Sequence, residues 1–248
     1  MSGADYSQEE LLICNFARML GDLPGIRHVA VGALSPIPGS AALLAQEQSN
    51  TDMRVSIIHG DANNPFTDGG RELFDCAGQG RIDAFFLGGA QIDGAANINL
   101  LGIGDYPDLD KRFPGSFGSA YVYFVIPNVI LFAPEHTKRV LVDKVDFISA
   151  PGTSSANVQR PGGPKALVTG KCVMAFDAGR FTLQSVHPGV TVEDVKANTG
   201  FDFDAPETVP ETPAPSEQEL ALLRTRIGPN IAKTYPDFAQ KVLGVAAP

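Results

Sequence analysis

A histidine closes the short apolar run VSIIHG, residues 55–60, and an aspartate stands two positions further on. Imidazole titrates near neutrality, and a nearby carboxylate suits it to general-base work. His59 with Asp61 is therefore a first candidate pair for chemistry. The pair sits where a buried strand gives way to a loop, the usual place for reacting groups in α/β proteins. Two more loops carry suitable side chains. In GGAQIDGAANINLLGIGDY, residues 88–106, a Gly-Gly pair directly after a strand permits close backbone approach. Gln91, Asn97 and Asn99 in that loop are uncharged groups able to make fixed hydrogen bonds to a carbonyl or an amide. In RFPGSFGSA, residues 112–120, the run Gly115-Ser116-Phe117-Gly118 can form a nest of backbone N–H groups facing an oxyanion. Taken singly, each loop reads more simply as a turn in which Gly and Asn satisfy unusual backbone angles. None is a P-loop or a G-x-G-x-x-G fingerprint. Ser-His-Asp and Cys-His groupings stay open, because spacing in sequence does not give spacing in space.

The elements that must position these loops follow from periodicity. Ser7 to Leu20 predicts a helix with a capping box at Ser7 and Glu10, an apolar face of Leu11, Leu12, Phe16, Met19 and Leu20, and a stop at Gly21. Strands are expected at 28–34, 53–58 and 82–87, and helices at 38–49, opened by Pro38, and at 71–79. Strands that are apolar almost throughout, alternating with helices, argue for an open, mostly parallel α/β sheet covered on both faces. Beyond residue 120, NVILFA, RVLVDKVDFIS, KALVTGKCVMAFD and RFTLQSVH are strand-like with short turns, which predicts a more antiparallel second half. Thr191 to Asn198 is a further helix, capped by Thr191 with Asp194 completing a box and ended by Gly200. Residues 205–215 are rich in Pro and Glu and expected to run extended on the surface. Ser216 to Ile227 is a last helix with a box at Ser216 and Glu219. No internal repeat divides the chain, and a single domain over 1–248 is expected.

Composition narrows the class. The chain has 248 residues, 44% hydrophobic, enough for a sizeable core. Its net charge is −9, without a basic patch or arm, which argues against nucleic acid. Three cysteines, Cys14, Cys76 and Cys172, give neither a disulfide framework nor a C-x-x-C metal site. The four histidines are scattered, with no pair at metal-ligand spacing, so no metal is expected. The N-terminus carries acidic residues where a signal peptide needs basic ones. The longest apolar run, AYVYFVIPNVILFA, is broken by Pro127 and Asn128, short of the ~18 residues that span a bilayer. A cytoplasmic protein in a reducing setting, without a membrane partner, is the expectation.

Taken in order, GGAQIDGAANIN, GIGDY, RFPGSFGSA and KRVLVDKVDFISAPG resemble the B subunit of glutaconate CoA-transferase, the second-subunit type of the family I CoA-transferases. HPGVTVEDVKANTGFDF followed by ELALLRTRIGP is similar to the end of the same subunit. The likeness runs from about Glu9 to Pro229, and its specific parts are residues 88–120 and 187–203. It implies an open α/β sheet and a partner A subunit of similar fold, typically in an A2B2 heterotetramer with the active site between the two. It also implies a B-subunit glutamate that attacks an acyl-CoA thioester and carries the acyl group and then CoA in turn. Coenzyme A would be part of the substrate, with no permanently bound cofactor. The loop Gly115-Ser116-Phe117-Gly118 would stabilise the thioester oxyanion, with support from Gln91 and Asn97.

Two residues depart from the family pattern. The position matching the nucleophilic glutamate is His59, and no glutamate lies between Glu47 and Glu72; Asp61 is the nearest carboxylate. Phe117 replaces a glycine of the loop and would narrow or reshape an acyl pocket. An acyl-imidazole hydrolyses readily and cannot store CoA as a stable thioester. The loss therefore points toward a reaction that keeps CoA in place, a decarboxylation or a hydrolytic C–C cleavage. The alternatives are a true transferase using Asp61 or an A-subunit carboxylate, and a silent subunit that only completes the A subunit's pocket.

Overall fold

The computed structural model describes residues 5–60 and 62–245; Asp61 lies outside them. Eight α-helices and eleven strands follow one another in the described residues. In chain order they are α1 (Gln8–Asp22), β1 (His28–Val31), α2 (Pro36–Gln48), β2 (Arg54–Ile57), α3 (Gly69–Gly78), β3 (Ala84–Leu87), β4 (Gln91–Ile92), β5 (Ile98–Asn99), β6 (Gly102–Ile103), β7 (Lys111–Arg112), α4 (Ser119–Val125), β8 (Asn128–Ala133), β9 (Pro164–Thr169), β10 (Cys172–Asp177), β11 (Arg180–Val186), α5 (Val192–Asn198), α6 (Glu217–Leu222), α7 (Gly228–Ile231) and α8 (Pro236–Leu243). A π-helical turn, Leu223–Ile227, joins α6 to α7, so the expected helix over 216–227 changes its winding half way.

The main sheet has seven strands in the order β11-β10-β9-β8-β3-β1-β2. The chain forms two compact units, one running through Cys76 with Arg81–Phe85 and everything from Pro213, the other Ala77–Gly80 with Phe86–Thr212. Strand β3 contributes residues to both.

In the first unit β1 pairs in parallel with β2 and with β3. Val29, Ala30, Val31, Ile57 and Ala84 are buried, as expected for strands covered on both faces. Helix α1 starts on the predicted capping box: Ser7 accepts from the Glu10 N–H, and Glu10 returns to the Ser7 N–H. Its burial is wider than one amphipathic face. Residues 10–17 are all buried, whereas Met19 is only partly covered. Glu10 is tolerated there because Arg224 meets both its oxygens, at 2.7 and 2.9 Å. The second capping box is held the same way: Glu219 caps α6 through Ser216 and takes a two-pronged contact from Arg18 of α1. The two arginines thus cross between α1 and the C-terminal helical segment, so the N- and C-terminal parts of the chain fold together.

In the second unit β8 pairs in parallel with β9, and β9, β10 and β11 pair antiparallel, as predicted. Residues 205–215 run extended, with bridges from Asp204 to Thr182 and from Glu211 to Val186. Two expectations need correction. RVLVDKVDFIS forms no strand, only a bridge at Leu141. The Val140 carbonyl and Val142 N–H bond Ile92, while the Val140 and Leu141 N–H groups turn back to Thr137, so no continuous ladder can run. The box at α5 is half-formed: Thr191 accepts from the Asp194 N–H, but the Asp194 carboxylate goes to Lys171 and Asn198 instead. Helix α4 is an addition to the expected elements. It lies inside the longest apolar run, where period alone does not separate helix from strand.

Candidate functional site

His59 stands at the end of β2, in the first unit. The strand stops at Ile57, one residue earlier than its apolar run suggests, because the Gly60 N–H folds back onto the Ile57 carbonyl at 3.0 Å. That turn puts His59 in the left-handed region, with φ +63°. Such a backbone is uncommon for a residue with a Cβ, and non-glycine residues that hold it concentrate at functional turns. The His59 side chain is exposed, while Ile58 and Gly60 on either side are buried. The imidazole is thus presented to solvent from a fixed backbone, at the C-terminal edge of parallel strands where open α/β sheets bind ligands. It can transfer a proton, or pair with an anion.

A second residue shares this geometry, and sequence reasoning misses it. Leu34 follows β1 with φ +56° and is 90% exposed. The expected strand over 28–34 ends at Val31, and the residues after it turn. HVAVGAL reads as one apolar run, and only Gly32 marks the break.

The glycine loop belongs to the second unit. Three of its residues are left-handed: Gly115 at φ +108°, Phe117 at +35° and Gly118 at +73°. Gly118 opens α4, and its carbonyl accepts from Tyr121 and Val122. Ser116 gives its carbonyl to both the N–H and the hydroxyl of Ser119. The loop is therefore tied down on its C-terminal side. A Cβ at Gly115 would meet nothing within 4 Å, so that glycine is required for its backbone angle and not for space. Phe117 is 78% exposed at the tip.

Gln91 and Asn97, also in the second unit, are occupied within the chain. The Gln91 side-chain oxygen accepts from Asn99 at 2.7 Å and from the Asp146 N–H at 3.0 Å. Asn97 donates to Asp93 at 3.1 Å and accepts from the Gly152 N–H at 3.1 Å. Asn99, fully buried, also donates to the Gly102 carbonyl and accepts from the Leu101 and Gly102 N–H groups. These amides anchor the hairpins β4–β5 and β6–β7 and the segment after Leu141. Gly89 has a packing reason as well: a Cβ there would come within 2.3 Å of Ile98.

Among the described residues no group of three or more His, Cys, Asp or Glu side chains is placed to hold a metal, and no helix is long and apolar enough to cross a membrane. Cys14, Cys76 and Cys172 are free thiols; burial pushes Cys14 and Cys172 up to about 12, far from reactive.

Residues 11–198 match the coenzyme A transferase family. The chain is 34% identical over 246 residues to the B subunit of 3-oxoadipate CoA-transferase from Pseudomonas knackmussii, covering 88% of this chain and 92% of that protein. It is 36% identical over 156 residues to the B subunit of glutaconate CoA-transferase from Acidaminococcus fermentans, 59% of this chain and 58% of the other. It is 28% identical over 165 residues to the IpdB subunit of a cholesterol ring-cleaving hydrolase of Rhodococcus jostii, 64% of each. Among solved structures, glutaconate CoA-transferase from Acidaminococcus fermentans superposes with a TM-score of 0.78 at 25% identity, over 97% of this chain and 98% of that one. The decarboxylase AibA/AibB shares the fold, with a TM-score of 0.76 at 22% identity over 97% and 100% of the two chains.

Proposed function

The chain belongs to the coenzyme A transferase family as a B-type subunit, and from that premise we propose that it works on an acyl-CoA thioester, together with an A-type subunit in an A2B2 assembly, in the cytoplasm. The reaction is one that leaves CoA attached: decarboxylation, or hydrolytic C–C cleavage, of an acid bound as its CoA thioester. The observation that carries this reading is His59, an exposed imidazole on a left-handed turn at the strand end where the resemblance expects the glutamate nucleophile. Relatives and fold neighbours named as a hydrolase and a decarboxylase give the reading support.

His59 then acts as base, proton shuttle or anchor for a carboxylate. In a decarboxylation the C–C bond to the carboxylate breaks, CO2 leaves, and the electron pair passes into the thioester-stabilised enolate. An imidazolium returns a proton to carbon. In a hydrolytic cleavage neutral imidazole takes a proton from water, and the hydroxide adds to a ketone β to the thioester. The bond from that carbonyl to the α-carbon breaks, with its electron pair passing into the thioester enolate. The imidazolium returns its proton to the α-carbon, leaving a carboxylic acid and a shorter acyl-CoA. The Gly115–Gly118 loop orients the thioester carbonyl, Phe117 shapes the acyl pocket, and Gln91 and Asn97 act by stiffening the neighbouring hairpin. No cofactor is permanently bound.

A second reading, CoA transfer between carboxylic acids, is favoured by the transferase names of the relatives at 34% and 36% identity. It needs Asp61 or an A-subunit carboxylate as nucleophile. Trapping decides. The complex with its A-type subunit is incubated with glutaconyl-CoA or 3-oxoadipyl-CoA, treated with borohydride or hydroxylamine, and mapped by mass spectrometry. The proposal expects no modified carboxylate on this chain, with conversion of the acyl-CoA into a shorter acyl-CoA and no transfer of CoA to added acetate. A modified Asp61, or transfer to acetate, replaces the proposal with the second reading.

A further inference from the structure

The turn carrying His59 is held by residues from the far end of the chain. Asn63 accepts the Ile57 N–H on its carbonyl at 2.9 Å, and its side-chain amide donates to Asn230 Oδ1 at 3.0 Å, 167 residues further along. Thr234 Oγ1 is buried against Gly60: a Cβ at position 60 would lie 3.2 Å from that oxygen and 3.1 Å from the Ile57 carbonyl. The hydroxyl has no hydrogen-bond partner among the described residues, so it acts there by contact. Ile231, one turn earlier, packs toward the same place, since a Cβ on Gly39 would meet both Ile57 Cδ1 at 3.2 Å and Ile231 Cδ1 at 3.5 Å.

The same segment reaches the loop after β1. Tyr235 Oη accepts from the Ser35 N–H at 3.4 Å, directly after Leu34, while the Ser35 hydroxyl donates to the Ala33 carbonyl at 3.2 Å. Both loops that leave the C-terminal edge of β1 and β2 thus touch one stretch, Asn230 to Tyr235. Each loop holds one exposed, left-handed, non-glycine residue, Leu34 and His59. Left-handed backbone at a residue with a Cβ persists only where its surroundings over-determine it. The two turns have such surroundings in common.

We propose that Asn230, Thr234 and Tyr235 are positioning residues, a clamp that holds the His59 turn and the Leu34 loop so that an imidazole and an apolar side chain are presented together from a fixed backbone. The ligand this suits is an acyl group with an apolar stretch beside a carboxylate or carbonyl. The proposal rests on the reading that His59 meets the thioester substrate. Reacting groups must be held to a fraction of an ångström, and a misplacement of about 1 Å can cost on the order of a hundredfold in rate.

The test uses Asn230→Leu, which removes the acceptor while keeping the branching at Cγ, and Asn230→Asp, which keeps one. Each is made in the full chain, assembled with its A-type subunit. Hydrogen–deuterium exchange is read on the peptide covering 57–63, and kcat and KM are read with whichever of glutaconyl-CoA and 3-oxoadipyl-CoA the wild-type complex consumes. The expected result is about fivefold faster exchange in Asn230→Leu, the scale of one hydrogen bond. Its kcat falls at least about tenfold with KM nearly unchanged, and Asn230→Asp restores both exchange and kcat. The double variant with His59→Ala is no slower than His59→Ala alone, as for groups acting as a unit. Unchanged exchange in Asn230→Leu, or losses that multiply with those of His59→Ala, overturns the clamp. A fully active His59→Ala complex, with the turn still loosened by Asn230→Leu, overturns the reading of His59 instead and reduces Asn230 to a structural tether.

Discussion

Val31 of β1 and Ile57 of β2 are partners in parallel register, so the two strands end at the same level of the sheet. Leu34 and His59 follow them by three and two residues, both left-handed and both exposed. Such a backbone costs about 1–2 kcal/mol for a residue with a Cβ. Leu34 buries almost nothing, so the strain is not repaid locally by packing.

Leu34 is expected to be a position kept for use and not for stability. Leu34→Gly relieves the left-handed strain, less the entropy glycine adds to the unfolded chain. It is expected to leave the melting temperature unchanged or to raise it by up to about 2 °C. Leu34→Val, with its branched Cβ, is expected to lower it. Scanning calorimetry of the two variants checks the sign; a large loss in Leu34→Gly would mean that the leucine packs against something in the folded state.

The amide cluster in the second unit is expected to act on stability first. Asn99→Leu would strip buried partners from Gln91, from the Gly102 carbonyl and from the Leu101 and Gly102 N–H groups. With about 1–3 kcal/mol for each buried group left unsatisfied, a loss of at least about 3 kcal/mol is expected. Urea unfolding followed by proteolysis or circular dichroism reads it. A midpoint shift of less than a few tenths of a molar would show that water replaces these bonds.

Two buried histidines set a pH window. Thr199 Oγ1 donates to the Val195 carbonyl and so accepts from His136 Nε2–H at 3.0 Å; Thr169 Oγ1, which takes the Lys171 and Cys172 N–H groups, donates to His136 Nδ1 at 2.7 Å. The network therefore assigns the neutral Nε2–H tautomer. His187 is bound alike, donating from Nε2 to the Thr169 carbonyl and accepting from Thr212 at Nδ1. Burial, the largest cause, lowers His136 to about 4 and also lowers His187. Between pH 6.5 and about 4 the unfolded chain binds the protons that the folded chain refuses, so stability rises with pH across that window and is full above it. For His136 alone the slope is about 1.4 kcal/mol per pH unit. Glu219, pushed up by burial but held low on balance by Arg18 and Ser216, loses its share only as the pH falls below its ordinary 4.5. Unfolding free energies at pH 7.0 and 5.5 are expected to differ by more than 1 kcal/mol in wild type, with the difference reduced in His136→Gln. Equal stability at both pH values would contradict the neutral-histidine network.

The parts legible in the sequence are those set by local chemistry. Ser7 with Glu10 and Ser216 with Glu219 announce their helix starts, and apolar runs at 28–34, 53–58 and 82–87 announce a parallel sheet whose strands are shorter, 28–31, 54–57 and 84–87. What escapes is non-local. Arg224 and Arg18, which make buried Glu10 and Glu219 acceptable, lie about two hundred residues from their partners. RVLVDKVDFIS has strand composition, but its backbone groups are divided between Ile92 and a turn at Thr137. At the site, His59 is visible as a polar residue closing an apolar run. Its left-handed backbone, and the hold of Asn230 and Thr234 on its turn, depend on contacts that no local window contains.

The most direct test of the account is the turnover of His59→Ala in the complex with the A-type subunit, using the thioester that the wild-type complex consumes. A proton-transfer role predicts a loss of two or more orders of magnitude in kcat, with the variant folded and assembled as wild type. A rate within about threefold of wild type would contradict it and leave this chain as a silent subunit that completes its partner's pocket.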